Sequence, residues 1–256
     1  MRSKKHLSQF FLVNKKYLEK ISDLVSVHDQ EIMVEIGSGK GQLTDFLIGK
    51  QKSIICVEID PAFCEILNEK YADIPFLDVV CADIRKFKLP DKKVIVVGNV
   101  PYHLSFEIIN FVISNRDKVP RAYLTFQKEF ARKLAGRLGT KDYGYLSCFM
   151  NIYADAKILF TIPKTCFHPR PKVDAAFLEI KLHSEPKAQV SSQEAFLNFL
   201  RNVFSQRRKK IANIIENLYP HLATETILAT AQVLADLRPE NISFLKLAQL
   251  YKLLSN

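Results

Sequence analysis

From Glu31 to Leu182 short apolar runs alternate with amphipathic helical stretches, and no other feature of the chain restricts its fold as much. The runs "EIMVEI", "SIICVEI", "FLDVVCA", "KVIVVGN" and "RAYLTF" are rich in β-branched and aromatic residues and read as strands. Helical periodicity marks "NKKYLEKISDLV" ahead of them, and "QLTDFLIGK", "PAFCEILNEKYA", "FEIINFVISN" and "KEFARKLAGRL" among and after them. Strands joined through helices pair in parallel, so an α/β fold with a mainly parallel sheet is expected. "AKILFTI" and "DAAFLEIKL" have no helix between them and read as an antiparallel hairpin. Beyond "HSEPKAQVSS" the strands stop. "EAFLNFLRNVFSQ", "RRKKIANIIENLY", "ETILATAQVLADL" and "SFLKLAQLYKLL" carry helical periodicity alone. Residues 1–184 are therefore assigned to an α/β domain and 185–256 to a small all-α domain, a division that 256 residues accommodate.

Charge narrows the partner class. Lys and Arg number 37 against 27 Asp and Glu, a formal net charge of +10, which suits a polyanionic partner. The cations cluster in "QKEFARKLAGRLGTK", "PKTCFHPRPK" and above all "QRRKK", which marks Arg207, Arg208, Lys209 and Lys210 as candidate nucleic-acid contacts. Taken singly, each cluster would read as a solvated helix face. No apolar run approaches the ~18 residues of a membrane-spanning helix, and "FFLV" after the basic "MRSKKH" is too short for a signal peptide. A cytoplasmic, monomeric protein is expected. The five cysteines form no C-x-x-C pair and the six histidines no cluster of metal-ligand spacing, so neither a disulfide nor a metal site is expected.

Three of the eight glycines, Gly37, Gly39 and Gly41, fall together in "VEIGSGKGQLT", directly after the first sheet strand. Glycines there let backbone approach a ligand and adopt positive φ. The G-x-G-x-G spacing differs from the dinucleotide fingerprint G-x-G-x-x-G. Glu58 ends the second strand in "VEID", and a carboxylate about 20 residues past such glycines suits the hydroxyls of a ribose. Asp83, in "CADI" at the end of the third strand, could accept from an adenine amino group. Together these residues describe an adenosine-containing cofactor lying across the carboxyl edge of the sheet. No P-loop follows any strand, which argues against ATP. The pattern resembles that of Rossmann-like S-adenosyl-L-methionine methyltransferases, although the physics alone would also permit NAD.

The fourth strand runs into "GNVPYHLS". Asn99, Val100, Pro101 and Tyr102 would reach the same edge and face the cofactor's reactive end. The side-chain oxygen of Asn99 and the main-chain oxygen of Val100 could accept the two N–H bonds of an adenine amine as it is methylated. Pro101 fixes φ and keeps Val100 out of the helical region. Tyr102 offers a face on which an extruded base can stack, worth ~1–3 kcal/mol by analogy with single-strand binders. An Asx-type turn closed by proline would explain an isolated N-x-P-Y equally well. Its position after a cofactor constellation favours the chemical reading.

These motifs, with "SQFFL", "QKEFARKL", "YGYLS", "FHPRPKVDAAF", "FSQRRKKI" and "LRPENIS", closely resemble the ribosomal RNA adenine N6,N6-dimethyltransferases over nearly the whole chain. The two tail segments favour the KsgA branch over the erythromycin-resistance methylases of large-subunit RNA. The resemblance implies dimethylation of two adjacent adenosines in the 3′-terminal hairpin of small-subunit rRNA, within the assembling subunit. It implies cofactor contacts at Phe10, Leu12, Gly37, Gly39, Glu58, Asp83, Ile84 and Asn99. It also implies RNA contact by the helical tail and stacking of the target base between Tyr102 and Phe167, although an ordinary hairpin-loop aromatic would account for Phe167 equally well. The family's Gly-Gln-Asn/His-Phe-Leu reads Ser8-Gln9-Phe10-Phe11-Leu12 here, so any cofactor contact at Phe10 falls to its backbone. His103 and Phe106 stand where Asn and Thr are common. A resistance-type methylase and a non-catalytic assembly or transcription factor that keeps the fold are the competing readings.

Overall fold

The computed structural model describes residues 9–25, 32–50 and 53–255; the basic N-terminal segment and Ser8 lie outside the described residues. The expected alternation is realised as β2 (Ile32–Ile36), α2 (Thr44–Leu47), β3 (Ile54–Glu58), α3 (Pro61–Lys70), β4 (Leu77–Cys81), β5 (Val94–Asn99), α4 (Ser105–Ser114) and β6 (Arg121–Gln127). Ahead of them lie a two-residue strand β1 (Phe11–Leu12) and helix α1 (Lys15–Leu24), started by Asn14, whose side chain accepts from Tyr17 N. After β6 come α5 (Lys128–Leu134), α6 (Tyr145–Tyr153), β7 (Ala154–Ile162), β8 (Phe167–His168) and β9 (Ala175–Leu182).

The main sheet runs β4-β3-β2-β5-β6-β9-β7. β2 pairs in parallel with β3 and β5, β3 with β4, and β5 with β6, whereas β9 is antiparallel to β6. β7 and β9 are neighbours, as two strands without an intervening helix should be. Val94–Val97 are fully buried. A parallel strand covered on both faces has no use for polar alternation, which is why "VIVV" is uninterrupted. This is the Rossmann-like architecture that the resemblance implies. β1 does not join the sheet; it pairs antiparallel with β8, setting Phe11 against His168 and Leu12 against Phe167.

Helices α7 (Gln193–Ser205), α8 (Ile211–Leu218), α9 (Thr224–Thr230) and α10 (Phe244–Leu254) occupy the tail. Two expected helices are shortened. α8 begins after the cations of "RRKK", with Lys210 extended at its N-cap, because positive charge at a helix N-terminus opposes the macrodipole. α9 ends at Thr230, two residues before Gln232 turns left-handed at φ 53°. Helix α6 is absent from the sequence reading. Six of its nine residues are buried, so it lacks the polar face from which a helix is recognised.

The chain divides into two compact units, one ending at Ala131 and resuming over Lys157–Ser184, the other formed by Arg132–Ala156 and Glu185–Asn256. A division at residue 185 keeps 132–156 with the sheet. The contacts put that segment with the helices: Tyr143 Oη donates to Ile242 O at 3.2 Å, and Gly139 N to Glu240 O at 2.9 Å. Among the described residues no helix is long and apolar enough to cross a membrane.

Candidate active site

Parallel pairing brings the ends of β2, β3, β4 and β5 to one edge, and that edge opens into a cleft of about 340 Å³. Its size falls within the range of about 300–1,000 Å³ usual for small-ligand sites. The glycine loop leaves β2 with Gly37 at φ 69°, Gly39 at 57° and Gly41 at 80°. Besides its positive φ, Gly39 has no room for a side chain: a Cβ would meet the Phe11 ring at 2.6 Å. At Gly41 a Cβ would meet the Tyr71 hydroxyl at 2.1 Å. That hydroxyl lies 3.0 Å from Gly41 O and 2.8 Å from Asp45 Oδ1, fastening the loop to the end of α3.

Glu58 lines the cleft although it is only 2% exposed. Gly39 N donates to its Oε2 at 2.8 Å, and Ile59 N and Asp60 N donate to Oε1 at 2.9 and 3.0 Å. A carboxylate has about four acceptor positions, so three donors leave room for one ribose hydroxyl. Asp83 is gripped by Arg85, whose Nε donates to Oδ1 at 2.9 Å and whose backbone N donates to the same oxygen at 3.0 Å. These hydrogen bonds hold its carboxyl below the usual carboxylate range, despite partial burial. It stays an ionised acceptor.

Asn99 ends β5 with its side chain fixed from one side: Nδ2 donates to Phe10 O at 2.6 Å. The other side is unpaired: Asn99 Oδ1 is buried with no hydrogen-bond partner. Val100 N donates to Thr125 O at 3.2 Å, and Pro101, at φ −58° and ψ 125°, leads into a short 3₁₀ turn, Tyr102–Leu104. The Tyr102 ring packs against Phe10, with centroids 5.3 Å apart and planes at 36°. Its hydroxyl is buried without a partner, and burial together with the charge of Asp174 pushes its pKa up to about 12. Tyr102 is a neutral surface at any working pH.

Phe10, Gly37, Glu58, Asp83, Ile84, Asn99, Val100, Pro101 and Tyr102 thus share one cleft wall. Gly39 contributes behind it, by holding Glu58. Leu12 and Phe167 sit elsewhere, facing each other across the β1–β8 pair with both side chains 3% exposed in the apolar core. The structure buries the ring that the resemblance sets against the target base, because the strand pair folds it inward among Leu18, Ile21 and Phe177. Arg85 and Ile59 were not singled out in the sequence. Arg85 carried the signal of a cation two residues past a strand-end carboxylate; Ile59, 44% exposed on the cleft, carried none.

Beneath the glycine loop lies Glu35, the first residue of the E-x-G-x-G run and fully buried. Thr44 Oγ1 donates to its Oε2 at 2.6 Å. Burial outweighs this bond and raises its pKa to about 7. In the second unit Arg207 donates from Nε and Nη2 to Glu240 Oε2 at 2.9 and 2.7 Å, and from Nη1 to Lys141 O at 3.1 Å. Arg208, Lys209 and Lys210 are exposed. Of the four cations read as RNA contacts, one is engaged within its own unit.

A glycine loop and two strand-end carboxylates at a parallel sheet edge, beside an unpaired asparagine oxygen, define a Rossmann-like protein with a site suited to a nucleoside-containing cofactor. The profile of the ribosomal RNA adenine dimethylase family matches residues 1–256, and the chain belongs to that family of S-adenosyl-L-methionine-dependent methyltransferases. It is 34% identical over 260 aligned residues to the ribosomal RNA small subunit methyltransferase A of Fusobacterium nucleatum subsp. nucleatum, covering 98% of this chain and 97% of the relative. Among solved structures it resembles a dimethyladenosine transferase from Plasmodium falciparum, with a TM-score of 0.80 and 24% identity over 92% of this chain and 95% of the other. It also resembles the 23S rRNA methyltransferase ErmE, with a TM-score of 0.76 and 24% identity over 96% and 100%. At that identity the two structures bear on the fold alone.

Proposed function

We propose that the protein dimethylates N6 of two adjacent adenosines in the 3′-terminal hairpin of small-subunit rRNA, acting as a monomer on the assembling subunit in the cytoplasm. The observation that carries the chemistry is Asn99 Oδ1, a buried acceptor without a donor, fixed in place by the bond from its own Nδ2 to Phe10 O. Leaving such an atom unpaired costs roughly 1–3 kcal/mol, so an N–H donor arriving there is its natural partner. The choice of subunit is supported by the small-subunit relatives and by the tail segments.

The cleft suits S-adenosyl-L-methionine, with Glu58 for one ribose hydroxyl, Asp83 for the adenine amino group and Ile59 and Ile84 as apolar walls. When bound, the cofactor supplies an electrophilic methyl group. The lone pair of the target amine is delocalised into its purine ring. Acceptance of both N–H bonds, by Asn99 Oδ1 and Val100 O, favours the pyramidal amine and stabilises the charge that develops on it. Tyr102 supports the base, and the cationic product releases its proton to water, so no general base is needed.

Purified protein should transfer label from S-adenosyl-L-methionine to unmethylated small subunits and not to large ones. Primer extension in a strain lacking the gene should show both adenosines unmodified. Label on large subunits instead would move the activity to the other rRNA, and full dimethylation without the gene would end the proposal.

A further inference from the structure

A contact in the cleft that the proposed chemistry does not use is the one between Phe10 and Tyr102. Phe10 touches both groups that the target base has to reach. Its carbonyl holds the Asn99 amide at 2.6 Å, and its ring lies 5.3 Å from the centre of the Tyr102 ring. Two rings at that distance are in direct contact. A base between them needs two stacking gaps of about 3.5 Å, or about 7 Å between ring centres. The present spacing leaves no room for it. Phe167, the other candidate for a second stacking surface, is buried in the core.

We propose, resting on the dimethylation reading above, that Phe10 is a place-holder for the target base: its ring packs against Tyr102 where the base would stack, and the base stacks there only when that ring swings away. The backbone can stay where it is. Phe11 and Leu12, immediately after Phe10, are pinned by the β1–β8 pair, and the Phe10 carbonyl is held by Asn99. Phe10 is half-buried rather than enclosed, so the ring has an open side toward which to turn. Such a device sets selectivity: a base must displace one aromatic contact with another before its amine comes within reach of Asn99 Oδ1. Bases that stack weakly are held out.

The test uses the full-length protein and an RNA hairpin carrying 2-aminopurine at one target position. That base can stack but lacks the N6 amine, so its fluorescence reads stacking separately from the grip of Asn99. Phe10→Ala should tighten hairpin binding by about 2- to 10-fold, the worth of one ring–ring contact, and speed the change in fluorescence. Phe10→Leu, which keeps an apolar side chain on the cleft wall, should fall between Ala and the native protein. Weaker binding in both variants would make Phe10 a wall on which the base rests. Unchanged binding would put the base on another path, and either result overturns the place-holder role. Tyr102→Ala separates this from the reading beneath it. It should abolish the fluorescence change, and if it does not, the stacking function of Tyr102 itself is lost, whatever Phe10 does.

Discussion

Asn99 combines two demands that usually conflict in a buried amide: one end is rigid and the other unsatisfied. The rigidity comes from Phe10 O, and the unsatisfied oxygen is where a substrate amine gains most, because removal of a preorganised polar partner in such sites costs about 10²–10³-fold in rate. Asn99→Ala should therefore lower the methylation rate of small subunits by at least 10²-fold while RNA binding changes little. Equal losses in both would make Asn99 a scaffold residue only. At Arg85 the logic is electrostatic. Arg85→Gln removes the cation that aims Asp83 and holds its carboxyl below the usual range, and should weaken cofactor binding, measured by calorimetry, by roughly 3- to 10-fold, in line with the ~1 kcal/mol of a partly exposed pair. Undiminished affinity would show that Asp83 needs no such support.

At the scale of elements, strand β2 and the loop after it carry two testable constraints. Glu35 has a folded pKa of about 7 against a reference of 4.5. A carboxyl that binds its proton more tightly when folded contributes stability that is complete below about pH 4.5. That contribution is lost as pH rises through about 7, by ~3 kcal/mol if the full shift counts. Glu35→Gln keeps an oxygen for Thr44 and carries no charge, so its melting temperature should fall less between pH 5 and pH 8 than that of the native protein. Parallel melting curves would show that Glu35 does not titrate in this window. In the loop, Gly41→Ala meets both a positive φ and the Tyr71 hydroxyl. It should cost ~1–3 kcal/mol in thermal unfolding from backbone strain alone, and more from the clash. Tyr71→Ala is itself destabilising, so the comparison is made in its background: there the added cost of Gly41→Ala should shrink to the strain alone, and an undiminished added cost would locate the damage elsewhere.

For the whole molecule the question is how a chain with a net charge of +10 uses it. Total charge predicts affinity for RNA, yet only cations free to meet phosphate release counterions. Arg208, Lys209 and Lys210 are exposed, whereas Arg207 is held by Glu240 and Lys141 O. Replacing the three exposed residues with Gln should flatten the plot of log affinity against log salt by about 2–3 units of slope. Arg207→Gln should lower the melting temperature of the protein and barely move that slope. If Arg207 alone matched the triple variant, the ion pair would have to open on RNA.

Periodicity and spacing determined that the sheet is mainly parallel and which strand ends share one edge, because apolar patterning is imposed by burial and burial repeats along an element. The same reasoning located Gly37, Glu58, Asp83 and Asn99, each at a strand end where the chain must turn. It could not determine what depends on partners distant in the chain. Helix α6 is buried on too many sides to show a stripe, and residues 132–156 join the helical unit through bonds to Glu240 and Ile242, about a hundred positions away. Whether an aromatic residue faces a cleft or a core is likewise invisible locally. Phe10 precedes the β1–β8 pair and Phe167 belongs to it, and only the three-dimensional packing put the first against Tyr102 and the second inside, since a short-range pattern records that a side chain is apolar and not which surface closes over it.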